Sequence, residues 1–137
     1  MSKFSDKVAV VTGAGRGIGN AIAKKLAFEG AKIAAISRSV ENSQSCAEEI
    51  NSEFPDVARS YSVDVSNHDD MMDVGKKILN DFGKVDILVN NAGVTRDNLM
   101  LRMNEDEWDA VLNTNLKGAF NSVKAFQRSL LKQGGAR

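Results

Sequence analysis

The chain has 137 residues, about one domain's worth. Its 18 basic and 18 acidic side chains cancel, and 42% hydrophobic with 26% charged residues is the composition of an ordinary soluble globular protein. That balance excludes a polybasic nucleic-acid binder, an acidic tail and a disordered chain, while apolar runs such as Ile33-Ala34-Ala35-Ile36 are too short to cross a bilayer.

Cys46 is the single cysteine, which excludes an internal disulfide framework and fits a reducing compartment. With His68 as the single histidine, a metal site would rest almost entirely on carboxylates, and none is expected. Residues 1–7 carry no targeting signal, so the expected location is cytoplasmic, or an organellar matrix if a leader has been removed. No repeat, low-complexity segment or flexible linker divides residues 1–137.

In chain order, short aliphatic segments alternate with helical ones. Strands are predicted at Val8-Ala9-Val10-Val11, over residues 32–36, over 58–63, and at Val85-Asp86-Ile87-Leu88-Val89. The first, second and fourth read as buried on both faces, as parallel strands are. Ile18, Ile22 and Leu26 repeat at i+4 and predict the first helix, with Gly30 just beyond its end. Residues 39–54 form a polar-faced second helix that Pro55 stops. Met71, Gly75, Ile78, Leu79 and Phe82 mark a third, capped by Ser66 or Asn67 and closed by Gly83. Helical signal then runs from 104 to about 133. Trp108, Leu112, Asn115, Ala119, Val123, Phe126 and Leu130 step by 4, 3, 4, 4, 3 and 4, one continuous helix face. The alternation predicts an α/β fold: a parallel sheet, helices on both faces, right-handed crossovers.

Chemistry concentrates where strands end. Thr12-Gly13-Ala14-Gly15-Arg16-Gly17-Ile18-Gly19 lies between the first strand and the first helix. Its spacing is T-G-x-x-x-G-x-G. Glycine permits close backbone approach to a diphosphate, and the helix N-terminus supplies free N–H groups, although a plain strand–helix turn uses the same residues. Beyond the second strand, where an NAD site carries Asp or Glu, stand Ser37 and Arg38. With Arg16 they suit a 2′-phosphate and favour NADP over NAD; the alternative is two solvated surface arginines. Asp64-Val65 follows the third strand, where the carboxylate suits an adenine amino group or a helix cap. Asn90-Asn91-Ala92-Gly93 follows the fourth, suiting close packing on a flat ligand or a turn. Asn115 interrupts the apolar stripe of the last helix, either as a self-capped distortion or as a polar relay near the site. His68 is expected at the surface, Cys46 as packing, and Met100, Met103 and Trp108 as core or cleft lining.

Together, Thr12-Gly13-x-x-x-Gly17-x-Gly19, Asp64-Val65, Asn90-Asn91-Ala92-Gly93 and Thr114-Asn115 resemble the short-chain dehydrogenase/reductase family, over nearly the whole chain. Within it, residues 94–103 followed by Glu107-Trp108 are similar to the 3-oxoacyl-[acyl-carrier-protein] reductases. The resemblance implies a Rossmann-type doubly wound sheet of which this chain is the amino-terminal, four-stranded part, truncated before a fifth strand. It implies NADP(H) as cofactor, acyl-carrier-bound 3-oxoacyl groups as substrate, fatty acid synthesis as setting and a homotetramer as assembly, with no nucleic-acid or membrane partner. It assigns Gly13, Gly17, Ile18 and Gly19 to the diphosphate, Asp64 and Val65 to adenine, and Asn91 with Ala92 and Gly93 to the adenosine side. Asn115 becomes one of four catalytic residues. The family's Ser, Tyr and Lys have no counterparts here, since Tyr61 is followed at i+4 by Val65. A complete enzyme of this kind runs to roughly 250 residues, so the 137-residue chain alone is expected to be inactive. A non-catalytic dinucleotide-binding module, or a reductase of another ketone, are the alternatives.

Overall fold

A computed structural model describes residues 3–15, 17–92 and 104–133. The elements are β1 (Val8–Thr12), α1 (Gly17–Phe28), β2 (Lys32–Ser37), α2 (Val40–Glu53), β3 (Ala58–Ser62), α3 (His68–Phe82), β4 (Ile87–Val89), α4 (Glu105–Leu112) and α5 (Gly118–Lys132). A π-helical turn, Asn113–Lys117, joins α4 to α5.

The strands form one parallel sheet in the order β3-β2-β1-β4. The chain steps outward from β1 to β3, then α3 carries it back to the far side of β1. That reversal puts the switch point of the sheet between β1 and β4, where such folds open a crevice at the carboxyl ends of their strands. β1 is buried along its whole length, and its alternate residues feed two separate cores. Ala9 and Val11, with Ile33 and Ala35 of β2, pack under α1 and α2. Val8 and Val10, with Ala34 and Ile36, pack under α3 and α5 through Met71, Ile78 and Phe126. Burial on both faces explains why these strands read as unbroken aliphatic runs.

Local chemistry sets the helix ends. Ser39 Oγ accepts from the Asn42 N–H and caps α2. Phe54 ends α2 because the ring of Pro55 disfavours helical geometry in the residue before it. Asn67 caps α3 by accepting from Asp70 N–H, which rules out the helix-cap alternative for Asp64. Gly83 closes α3 in the left-handed region at φ 85°.

Several expectations need correction. β4 begins at Ile87, not Val85, because the Val85 backbone is engaged by Ser129 Oγ, while Val8 N–H donates to the Asp86 carboxylate and Asp86 N–H to the Val8 carbonyl. β4 is half-buried along its three residues, not buried on both faces. Ile18 is 73% exposed, and α1 meets the sheet through Gly19, Ala23 and Ala27 instead. The last helical region is not one continuous face. The π-turn rotates the register, so the buried side of α5 is Gly118, Asn121, Ser122 and Phe126, while Trp108 and Val123 stay largely exposed. Asn115 is likewise exposed, not set in a buried stripe. Among the described residues, no helix is long and apolar enough to cross a membrane.

Candidate functional site

At Gly13, Gly15 and Gly19 the glycine loop is built by contacts that leave no room for a side chain. Thr12 ends β1, fully buried, and its hydroxyl is a hub. Oγ1 donates to the Val89 carbonyl at 3.3 Å and accepts from the Asn91 and Ala92 N–H groups at 3.0 and 2.9 Å. The chain leaving β4 is thereby tied to the chain leaving β1. Asn91 Nδ2 donates to the Gly13 carbonyl at 3.2 Å, and the Ala14 N–H donates to the Ile36 carbonyl of β2 at 3.0 Å. A β carbon on Gly19 would lie 2.1 Å from the Gly13 carbonyl oxygen, and one on Gly13 would lie 2.9 Å from Ala92 Cα. Gly15 is pressed against Asn42 at the start of α2 in the same way.

Gly17 differs. Its φ is +61°, and among the described residues nothing lies within 4 Å of the β carbon it lacks. Gly13 and Gly19 therefore serve packing within the protein, whereas Gly17 opens the first turn of α1 to the outside. The N–H groups of that turn have no intrahelical acceptors, and the helix dipole makes the spot favourable for an anion.

The second and third strands end beside this loop. Ser37 Oγ donates to the Ser39 carbonyl at 2.5 Å, so its proton is already engaged. Arg38 is exposed, and its carbonyl accepts from Ser62 Oγ. Asp64 Oδ1 accepts from both the N–H and the hydroxyl of Ser66, at 3.0 and 2.7 Å. Partial burial pushes the Asp64 carboxyl upward, but the two Ser66 bonds and the nearby Arg38 charge outweigh it and hold it below the ordinary range. Asp64 is thus an anion with Oδ2 as its remaining acceptor.

Val65 is buried against Gly118, where a β carbon would come within 2.6 Å of Val65 Cγ2. Asn115 lies on the π-turn just before Gly118. The structure accordingly gathers Thr12, Gly13, Gly17, Gly19, Asn91 and Ala92 at the switch point. It sets Ser37, Arg38, Asp64 and Val65 along the same sheet edge, and brings Gly118, which directly follows the Asn115 turn, against Val65. Arg16, Gly93, Met100 and Met103 lie outside the described residues. His68 is exposed as expected, and Cys46 is buried in the core beneath α2.

Two polar residues escaped the sequence reading. Asn42 backs the loop at Gly15, and nothing in its position on a polar helix signals this. Asn121 is fully buried and bonded to Val65. Its signal was present in the run Gly118, Asn121, Ser122, Ala125, Ser129, a stripe of small and polar residues at helical spacing beside the apolar one.

A parallel sheet whose order reverses beside a glycine loop is the architecture of the Rossmann-type α/β proteins. The sequence model of the short chain dehydrogenases matches residues 7–137, and the chain belongs to that family. It is 44% identical over 128 residues to the 3-oxoacyl-[acyl-carrier-protein] reductase FabG of Staphylococcus aureus (strain Mu50 / ATCC 700699), covering 93% of this chain and 52% of that protein. It is 41% identical over 130 residues to FabG of Escherichia coli (strain K12), covering 95% and 52%. The chain thus spans about half the length of these curated relatives. Among solved structures, NAD+-bound xylitol dehydrogenase superposes with a TM-score of 0.91 at 35% identity, covering 96% of this chain and 51% of that one. A metagenomic short-chain oxidoreductase in complex with NADP superposes at 0.88 with 38% identity, covering 96% and 59%.

Proposed function

We propose that this chain is the dinucleotide-binding part of an NADPH-dependent reductase that converts acyl-carrier-bound 3-oxoacyl groups to 3-hydroxyacyl groups. The observation that carries the reading is the glycine loop. Gly13 and Gly19 are sealed against Asn91 and Ala92, while Gly17 leaves the amino end of α1 open. That cradle fits a dinucleotide diphosphate, because a side chain at Gly17 would project into the space over free N–H donors. The 41–44% identity to FabG proteins supports the substrate class.

When bound, NADPH would supply the hydride that the substrate carbonyl carbon takes up. The chain's own residues bind and orient. The N–H groups of the Gly17 turn would donate hydrogen bonds to the diphosphate oxygens, with the helix dipole favouring its charge. Arg38, with Arg16, grips the 2′-phosphate, and the engaged Ser37 proton leaves charge to do that work. Asp64 would accept from the adenine amino group through Oδ2, since Ser66 uses Oδ1, and Val65 would border the adenine. By the family resemblance, Asn91, Ala92 and Gly93 would take the adenosine side. Asn115 belongs to the proton relay, whose acid, by the family resemblance, is a tyrosine this chain does not supply. The 137-residue chain alone should therefore bind nucleotide without reducing substrate.

Titration calorimetry with NADPH and NADH, followed by NADPH oxidation assays on the full-length protein, tests this reading. Tighter NADPH binding and turnover with a 3-oxoacyl thioester on acyl carrier protein support it. Turnover of a polyol or free ketone with NADH, and none of the thioester, would overturn the substrate.

A further inference from the structure

Asn121 is an amide on the inner face of α5, 1% exposed. Both of its polar atoms are engaged. Nδ2 donates to the Val65 carbonyl at 2.9 Å. With the amide nitrogen turned to Val65, the oxygen faces His68, whose Nδ1 lies 3.1 Å away. An amide oxygen only accepts, so it is Nδ1 of His68 that carries the proton. One turn earlier on α5, Gly118 lies tight against Val65 Cγ2. The turn from Asp64 to His68 is therefore held to the first turn of α5 three times over: by the Val65 carbonyl, the Val65 side chain and the His68 ring.

The first turn of α5 continues directly from the π-turn that carries Asn115. Whatever fixes α5 against Val65 also fixes the distance between the Asp64 turn and Asn115. An apolar residue at 121 would pack as well but would leave the Val65 carbonyl unpaired and the turn free to shift. We propose that Asn121, supported from outside by His68, is a positioning residue that locks the adenine end of the site to the end where the reaction occurs. The inference rests on the dinucleotide-binding reading above.

The test uses the full-length protein with His68→Leu, His68→Asn, Asn121→Ala and Asn121→Leu. His68 is exposed, so its variants fold whatever becomes of those at 121. His68→Leu should raise the NADPH Kd and lower kcat, each by roughly 3- to 10-fold, with an unchanged melting temperature. His68→Asn should restore both, because its Nδ2–H stands where Nδ1–H stood. Nitrogen-15 spectra should show the neutral His68 ring protonated at Nδ1 in wild type and released in Asn121→Ala. Wild-type Kd and kcat in His68→Leu, an Nε2-protonated ring, or a loss of stability in Asn121→Ala with normal Kd and kcat would each overturn the proposal. If wild type binds no dinucleotide, the functional reading falls and this inference with it. If wild type binds and the variants match it, only this inference falls.

Discussion

Asn91 Nδ2 donates to the Gly13 carbonyl at 3.2 Å, joining the segment after β4 to the segment after β1. A β carbon on Gly19 would lie 2.4 Å from that same Nδ2 and closer still to the Gly13 oxygen. Gly19 and Gly17 therefore do different work, which substitution to alanine should separate. Gly19→Ala meets backbone that cannot move aside and should cost about 3 kcal/mol or more. Gly17→Ala meets open space and carries only the strain of a left-handed φ, about 1–2 kcal/mol. It should fold, yet lose dinucleotide affinity. Urea unfolding and calorimetry of both variants check the order. Equal stability losses, or unchanged binding in Gly17→Ala, would contradict it.

The edge strand β3 carries a pH-dependent contribution to stability. Tyr61 donates its hydroxyl to Asp81 at 2.6 Å. Burial, then the bond to Asp81 and its charge, push the Tyr61 hydroxyl well above its ordinary 10, while Arg59 opposes the shift. Folding thus holds this proton more tightly than the unfolded chain does. The contribution is complete below pH 10 and is lost as pH rises beyond it. Stability measured from pH 8 upward should fall above that point in wild type and fall less in Tyr61→Phe. At neutral pH Tyr61→Phe should cost about 1–2 kcal/mol.

Much of this architecture is legible in the sequence because the relevant signals are local. Pro55 and Gly83 stop their helices through their own backbone restrictions, and Asn67 caps α3 three residues before the N–H it accepts from. Aliphatic runs give the two central strands. What stays illegible depends on contacts distant in sequence. The start of β4 is delayed by Val8 and Ser129, more than forty residues away in each direction. The π-turn at Asn113–Lys117 breaks the periodicity that places Asn115 inside, and on α5 the core side keeps Phe126 but takes in Asn121 and Ser122 instead of Val123. In the candidate site, residue types at strand ends single out Thr12, Gly13, Gly19 and Asn91, which the structure brings into mutual contact. The hub role of the Thr12 hydroxyl and the engaged proton of Ser37 appear only in three dimensions.

Arg38 decides between the two nicotinamide dinucleotides in the reading given above. It is exposed at the end of β2, where an NAD site would carry a carboxylate. A charge-assisted bond to the 2′-phosphate is worth about 1.5–3 kcal/mol, about 10- to 100-fold in affinity. Arg38→Asp should therefore weaken NADPH by at least that factor while leaving NADH unchanged or improved. The effect should shrink as salt rises, since the site faces solvent. Equal losses for both nucleotides would sink the assignment.

The outer side of α5 bears on assembly. Phe120, Val123 and Leu131 stand exposed there, with Leu116 of the π-turn just before them, Phe120 at 61% and Leu131 at 85%, while the opposite side of the helix is sealed against α3 by Gly75 and Ala125. One helix thus has a finished inner face and an apolar outer one, more than scattered surface residues account for. An isologous contact, in which this face meets its own copy across a two-fold axis, would bury it, and a tetramer follows if a second such face pairs as well. Phe120→Glu and Leu131→Glu put a charge in the middle of that contact. Each should shift the full-length protein from oligomer toward monomer in sedimentation velocity. NADPH affinity should persist, because neither side chain belongs to the glycine loop or the Asp64 turn. Wild type sedimenting as a monomer at micromolar concentration, or both variants retaining the wild-type size, would show that this face is covered within one subunit.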